Sequence, residues 1–355
     1  MNTIRRSIAA LGAVAAISIA PAIAQNLSFG ADNFYKSNTV ELQPITFPNQ
    51  YQMTVAGNLF VPKNLSSSEN ASAIVVGHPM GAVKEQSANL YATKLAEQGF
   101  VTIALDVSFW GGSDGEPRNA VLPDVYAESF SAAVDYLGTL GFVDRERIGA
   151  VGICGSGGFV LSAAKIDTRI AAVTTVSMYD MGAVNRNGLQ GAVSVEQRKE
   201  VVVTASQQRW AEVDGAEIEY TGGTVHELTN ETDAVAREFY DFYRRSRGEF
   251  TPAGSLPNLT THPTLTSNVK FLNFYPFSDL DTISPRPLLF VHGNQAHSRE
   301  FSEDAFAAAA EPKELIWIPG AGHADLYDRV DLIPFDRLTQ FFQTNLGGSG
   351  GNFTA

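Results

Sequence analysis

The 355-residue sequence holds a single cysteine, Cys154, so no disulfide can form within the chain. Charge is scarce at 18% of residues, and basic residues are the scarcer sign, 25 Lys and Arg against 38 Asp and Glu. The resulting formal charge of −13 repels phosphate backbones and argues against nucleic acid as a partner. Apart from the first two dozen residues, no apolar run approaches the ~20 residues that span a bilayer, so no membrane span is expected in the mature protein. There is no H-E-x-x-H or Cys/His set for zinc, no G-x-G-x-x-G after a first strand and no P-loop lysine, so neither a metal nor an organic cofactor is implied. No internal repeat is visible. Apolar residues, by contrast, make up 44% of the chain, enough for a large core and too many for a disordered protein.

The first residues, Met1-Asn2-Thr3-Ile4-Arg5-Arg6, form a short basic head, followed by an apolar run from Ile8 to Ala20 and the small-x-small sequence Ala22-Ile23-Ala24. These are the parts of a secretory signal, with cleavage expected near Ala24 and a periplasmic or secreted destination. In an oxidising compartment a lone cysteine is either buried and inert or reactive, and its setting in the chain decides which.

Val40–Phe47 and Met53–Val61 read as an antiparallel hairpin around Pro48-Asn49-Gln50. From Ala73 onward, short apolar runs (73–77, 101–105, 147–152, 170–176, 287–291, 314–318) alternate with helical patterns, which builds a mostly parallel, doubly wound α/β sheet. Between Asp180 and about Pro285 the rhythm breaks, with helical stretches at 195–210 and 233–247. The expected organisation is a leader at 1–24, an α/β core at 25–180 and 286–346, a helical cap inserted at 181–285 over the ligand-binding edge of the sheet, and a flexible tail at 347–355.

The strand ending at Val151 runs into Gly152-Ile153-Cys154-Gly155-Ser156-Gly157-Gly158 and then an apolar helical segment. A strand, a sharp glycine-rich turn and a helix form a nucleophile elbow, whose central residue is lifted above the sheet and flanked by small residues. Cys154 at the centre satisfies this, with Gly152 and Ser156 two places away. Ser156 at the centre satisfies it as well and stands as the alternative nucleophile. The N-terminus of the following helix is expected to lower the thiol pKa.

Near the C-terminus the glycine-rich loop after the last strand carries His323, the place of the base in a chain whose nucleophile comes earlier. The loop His78-Pro79-Met80-Gly81-Ala82 follows the first parallel strand, where one backbone N–H of an oxyanion hole is expected from Met80, the other coming from Gly155. No carboxylate directly follows the strand 287–291. The acid is therefore sought at Asp180, just beyond the strand 170–176, with Glu303 as the alternative.

Together these motifs, with Gly111-Gly112-Ser113-Asp114-Gly115, Ala296-His297-Ser298-Arg299-Glu300 and Gly322-His323-Ala324-Asp325-Leu326-Tyr327, resemble the dienelactone-hydrolase-like α/β-hydrolases, in the branch with the fungal polyketide transferases and their bacterial relatives. The resemblance implies the α/β-hydrolase fold, with Cys154 as nucleophile and His323 as base; His297 stands where relatives can carry Asp. The expected function is hydrolysis of an ester, thioester or lactone of a small acyl substrate through a covalent acyl-enzyme. The alternatives are acyl transfer of the polyketide-transferase type and a non-catalytic binding protein on the same scaffold. Substrate identity and oligomeric state are not legible.

Overall fold

The computed structural model describes residues 30–66 and 70–347. The expected leader at 1–24 and, beyond Gly347, the expected tail lie outside the described residues.

In chain order, β1 (Val40–Pro48), β2 (Thr54–Pro62) and β3 (Ala71–Gly77) precede α1 (Ala88–Ala96), β4 (Val101–Leu105), α2 (Pro123–Leu137), β5 (Val143–Ile153), α3 (Ser156–Ile166) and β6 (Ile170–Val176). Helices α4 (Met181–Asn187), α5 (Val195–Val213), α6 (Ala234–Tyr243) and α7 (Leu265–Asn268) follow with several 3₁₀ turns. The chain then returns through β7 (Leu288–Gly293), α8 (Arg299–Ala308), β8 (Lys313–Ile318), α9 (Asp325–Asp328) and α10 (Phe335–Leu346).

The eight strands form one sheet in the order β1-β2-β4-β3-β5-β6-β7-β8, parallel from β4 to β8 and antiparallel where β2 joins β1 and β4. The hairpin read from the sequence is the edge of this sheet. That position tolerates Pro44, which cannot donate to a ladder. The central strands β3, β4 and β6 are buried on both faces, as continuous apolar runs require.

From β3 the chain winds outward to β4 and then back to β5 on the other side, so the loops after β3 and β5 part in opposite directions and leave a crevice between them. Gly77 and Gly152 are register partners at this point. A side chain at either would strike Ser156: an added Cβ would lie 2.8 Å from its Oγ at Gly77 and 2.3 Å from its carbonyl oxygen at Gly152. Two glycines thus let the start of α3 settle against two adjacent strand ends.

Candidate active site

Cys154 sits directly between β5 and α3 with φ of +53°, an unusual backbone for a residue with a side chain. Its N–H donates to the Val176 carbonyl (3.0 Å), and its own carbonyl accepts from Gly157 (2.9 Å) and Tyr179 (3.0 Å), which together hold the turn in place. Ser156, the alternative centre, is already inside α3 and donates its hydroxyl to the His78 carbonyl at 2.5 Å. Its side chain points down into the fold, so the elbow centre falls on Cys154.

The backbone N–H groups of Met80 and Gly155 and the hydroxyl of Tyr327 face the Cys154 sulfur, where each favours the ionised form. Met80 and Gly155 are the two oxyanion-hole donors expected from the sequence, and they approach so closely that a Cβ on Gly155 would lie 2.6 Å from that of Met80. The lowered thiol pKa expected from the helix N-terminus is overturned. Cys154 is only 6% exposed, and burial pushes its thiol up to about 11 while the Tyr327 hydroxyl and the two N–H groups pull the other way.

His323 is fully buried beside this turn. Its Nε2 lies 2.8 Å from the Tyr327 hydroxyl, and Cys154 is close enough to that phenol to influence its acidity. Burial, then the neighbouring His297 and His292, holds the His323 pKa well below its ordinary value, and the ring is neutral near pH 7. Burial, with Cys154 and Tyr243 nearby, raises the Tyr327 phenol well above its usual range, so it remains a donor.

The structure does not bring either expected carboxylate to His323. Asp180 caps α4, accepting the Ala183 N–H at 2.7 Å, because β6 delivers it to the first turn of that helix. Glu303 is one turn into α8, half exposed and paired with Arg299 at 2.8 Å. The Nδ1 atom of His323 instead meets the hydroxyl of Ser298 at 2.6 Å, and the same oxygen lies 2.9 Å from Nε2 of His292.

The segment between β6 and β7 reaches this site. Glu238 on α6 accepts the Ala324 N–H (2.7 Å) through one carboxylate oxygen and meets His297 Nδ1 (3.1 Å) through the other, while His297 Nε2 contacts the Tyr179 hydroxyl at 2.7 Å. Burial works to raise the Glu238 pKa, but His297 and the N–H groups of Ala324 and His323 outweigh it and hold the carboxylate ionised. Arg247, just past α6, forks onto Asp328 with contacts of 2.6 and 3.1 Å and also donates to the Ala324 carbonyl. Tyr179, Phe239 and Tyr327 pack edge-on around His323.

Tyr327, Ser298 and Glu238 were not singled out as site residues from the sequence. The sequence offers for the first only its nearness to His323, since α9 begins two residues after that histidine. Ser298 and Glu238 are brought in only by tertiary packing.

Residues 85–333 match the family model described as "Alpha/beta hydrolase family". An uncharacterized protein of Pseudomonas aeruginosa, PA2218, is 46% identical over 313 residues, covering 88% of this chain and 83% of its own. Its crystal structure superposes with a TM-score of 0.83 at 44% identity over 90% of this chain and 98% of that one. The uncharacterized YcjY of Escherichia coli is 34% identical, covering 80% of this chain and 92% of its own. The polyketide transferase claH of Penicillium crustosum is 24% identical over 70% of this chain and 79% of its own.

Proposed function

From the premise that this chain belongs to the alpha/beta hydrolase family, we propose that it breaks ester, thioester or lactone bonds through an acyl-enzyme on Cys154. The observation that carries the reading is the seat of Cys154 at the strained tip of the strand–helix turn, beside a buried His323 whose Nε2 lies 2.8 Å from the Tyr327 hydroxyl.

In this mechanism the N–H groups of Met80 and Gly155 hold the oxyanion of the tetrahedral intermediate. As Cys154 attacks, its proton passes to the Tyr327 oxygen and the Tyr327 proton passes to His323 Nε2. His323 returns a proton to the leaving group. Water, deprotonated by the same ring, then attacks the thioester; the C–S bond breaks, the acid is freed, and the departing sulfur takes the proton back from His323 through Tyr327. The high resting pKa supports a thiol that ionises as it attacks and is not stored as thiolate. The inserted segment 181–285 acts as the cap that shapes the acyl pocket, through α6 and the residues after it.

Transfer of the acyl group to an alcohol is the second reading. It is favoured by the burial of Cys154 and His323, which keeps water scarce, and the relative claH is named a polyketide transferase.

Incubation with p-nitrophenyl butyrate or an acyl thioester, followed by intact mass spectrometry, tests the proposal. A covalent acyl adduct is expected on the wild type and on Ser156→Ala, and none on Cys154→Ala, whose turnover should fall by about 10³-fold or more. Full turnover by Cys154→Ala would overturn the assignment. Absence of adduct and turnover with every acyl donor would favour a binding protein.

A further inference from the structure

The Nδ1 position of an acyl-transfer histidine ordinarily faces a carboxylate that fixes its tautomer. Here it faces Ser298, and Ser298 faces a second imidazole. The line runs from His323 Nδ1 to Ser298 Oγ (2.6 Å), on to His292 Nε2 (2.9 Å), and from His292 Nδ1 to Ser302 Oγ (2.6 Å). All four side chains are completely buried. The construction is local: β7 supplies His292, while Ser298 and Ser302 stand one helical turn apart at the start of α8 and clasp the two nitrogens of that ring.

We propose that Ser298, oriented by His292, does the work of the triad carboxylate, accepting the Nδ1 proton of His323 and so leaving Nε2 as the nitrogen that takes up a proton. The inference rests on the acyl-enzyme reading above.

A serine hydroxyl carries one proton and two acceptor lone pairs. If its proton goes to Nε2 of His292, only lone pairs remain for His323, whose Nδ1 must then be protonated and whose Nε2 must be bare toward Tyr327. In the reverse arrangement every bond in the line flips, and His323 points an N–H at Tyr327 and cannot act as a base. Only the first arrangement is competent. It requires a neutral His292, and the enclosure of that ring, with Arg299 and His297 nearby, keeps it neutral, with its pKa pushed down to about 3.

No proton leaves the line when His323 becomes an imidazolium: Nδ1–H continues to donate to Ser298, and Ser298 to His292. A neutral acceptor suits a fully enclosed site, where an ionised carboxylate would carry a larger desolvation cost. The other titratable groups facing the His323 ring are His297, Tyr179 and Tyr327, with Cys154 beyond Tyr327 and Glu238 on the backbone N–H groups. None of them contacts Nδ1.

The test is the tautomer of His323 in full-length protein labelled with ¹⁵N-histidine, read by long-range ¹H–¹⁵N correlation near neutral pH and assigned through His323→Gln. Nδ1 protonated and Nε2 bare is the expected result, and an Nε2–H on His323 in the wild type overturns the proposal whatever any variant does. In Ser298→Ala the tautomer preference should be lost and kcat should fall by about 10²-fold with KM little changed. Ser298→Thr, which keeps the hydroxyl, should recover most of that loss. A Ser298→Ala enzyme with wild-type kcat also overturns it. An acylated Cys154 beside an Nε2–H tautomer sinks this inference alone, whereas the expected tautomer with no acylation at Cys154 sinks the acyl-enzyme reading, and with it the catalytic part given to Ser298, while the tautomer assignment stands.

Discussion

A thiol at the tip of an elbow is subject to two opposed effects, and their sizes decide its resting state. The helix N-terminus and the two N–H groups favour the thiolate, but they act within a site closed by aromatic side chains, and desolvation prevails. The Cys154 pKa of about 11 lies above the ordinary value of 9.0, so the folded state holds the proton more tightly than the unfolded one. The stability this contributes is complete below pH 9 and is lost as pH rises through 11; two units correspond to about 3 kcal/mol. Iodoacetamide should therefore alkylate the resting protein more slowly than free cysteine at pH 7 to 9, with a rate that climbs steeply toward pH 11. Cys154→Ala should show a flatter loss of stability on the alkaline side in denaturant titrations. Alkylation faster than free cysteine at pH 7 would contradict this account. Cys154 itself was legible in the sequence because small flanking residues mark an elbow. Its acidity was not, because the residues that seal the site, Tyr179, Tyr243 and Tyr327, are remote in the chain or carry no sign of what they cover.

At the scale of elements, the loop bearing His323 is held by a short helix and a buried ion pair. Asp328 at the end of α9 is fully buried and Arg247 nearly so, joined by two parallel contacts. Removing one partner leaves the other charge buried, so Arg247→Ala or Asp328→Ala should cost about 3–5 kcal/mol in chemical denaturation, while Arg247→Met with Asp328→Leu should recover much of it. A single variant that costs under about 1 kcal/mol would mean that water replaces the missing partner. Regular elements are the most legible part of the chain: β4 and β6 have the bounds expected from their apolar runs, and the hairpin, β3, β7 and β8 fall within a residue or two, whereas β5 begins four residues before the run at 147–152. The helical pattern of the sequence reads from 303 to 310, whereas α8 begins four residues earlier, because Arg299 and Glu300 look like ordinary polar loop residues. That displacement hid Ser298, which stands immediately before the helix. Helix α9 has only four residues, too few for periodicity to reveal, although it carries both Tyr327 and Asp328.

At the scale of the whole molecule, the sheet order brings the loops after β3, β5, β7 and β8 to one edge, which is why residues as distant as Met80, Cys154, Ser298 and His323 assemble. The sequence pattern discloses that edge, since strand–helix alternation dictates it, but not which residues of the segment between β6 and β7 meet it. α6 meets the histidine loop through Glu238, whose carboxylate accepts the Ala324 N–H and engages His297. A charge-assisted contact of this kind is worth about 1.5–3 kcal/mol, enough to govern local opening without governing global unfolding. In Glu238→Ala, amide exchange in α6 and in the loop 320–329 should therefore accelerate together by about ten- to a hundredfold, measured by mass spectrometry on peptides. The amides of β3, β5 and β6 should keep their protection, because they are held by the ladders between adjacent strands of the sheet. Equal acceleration in those strands would show that the segment and the sheet unfold as one unit. Acceleration in α6 alone would show that the histidine loop holds its shape without Glu238, and the part assigned to α6 in supporting the base would then be wrong.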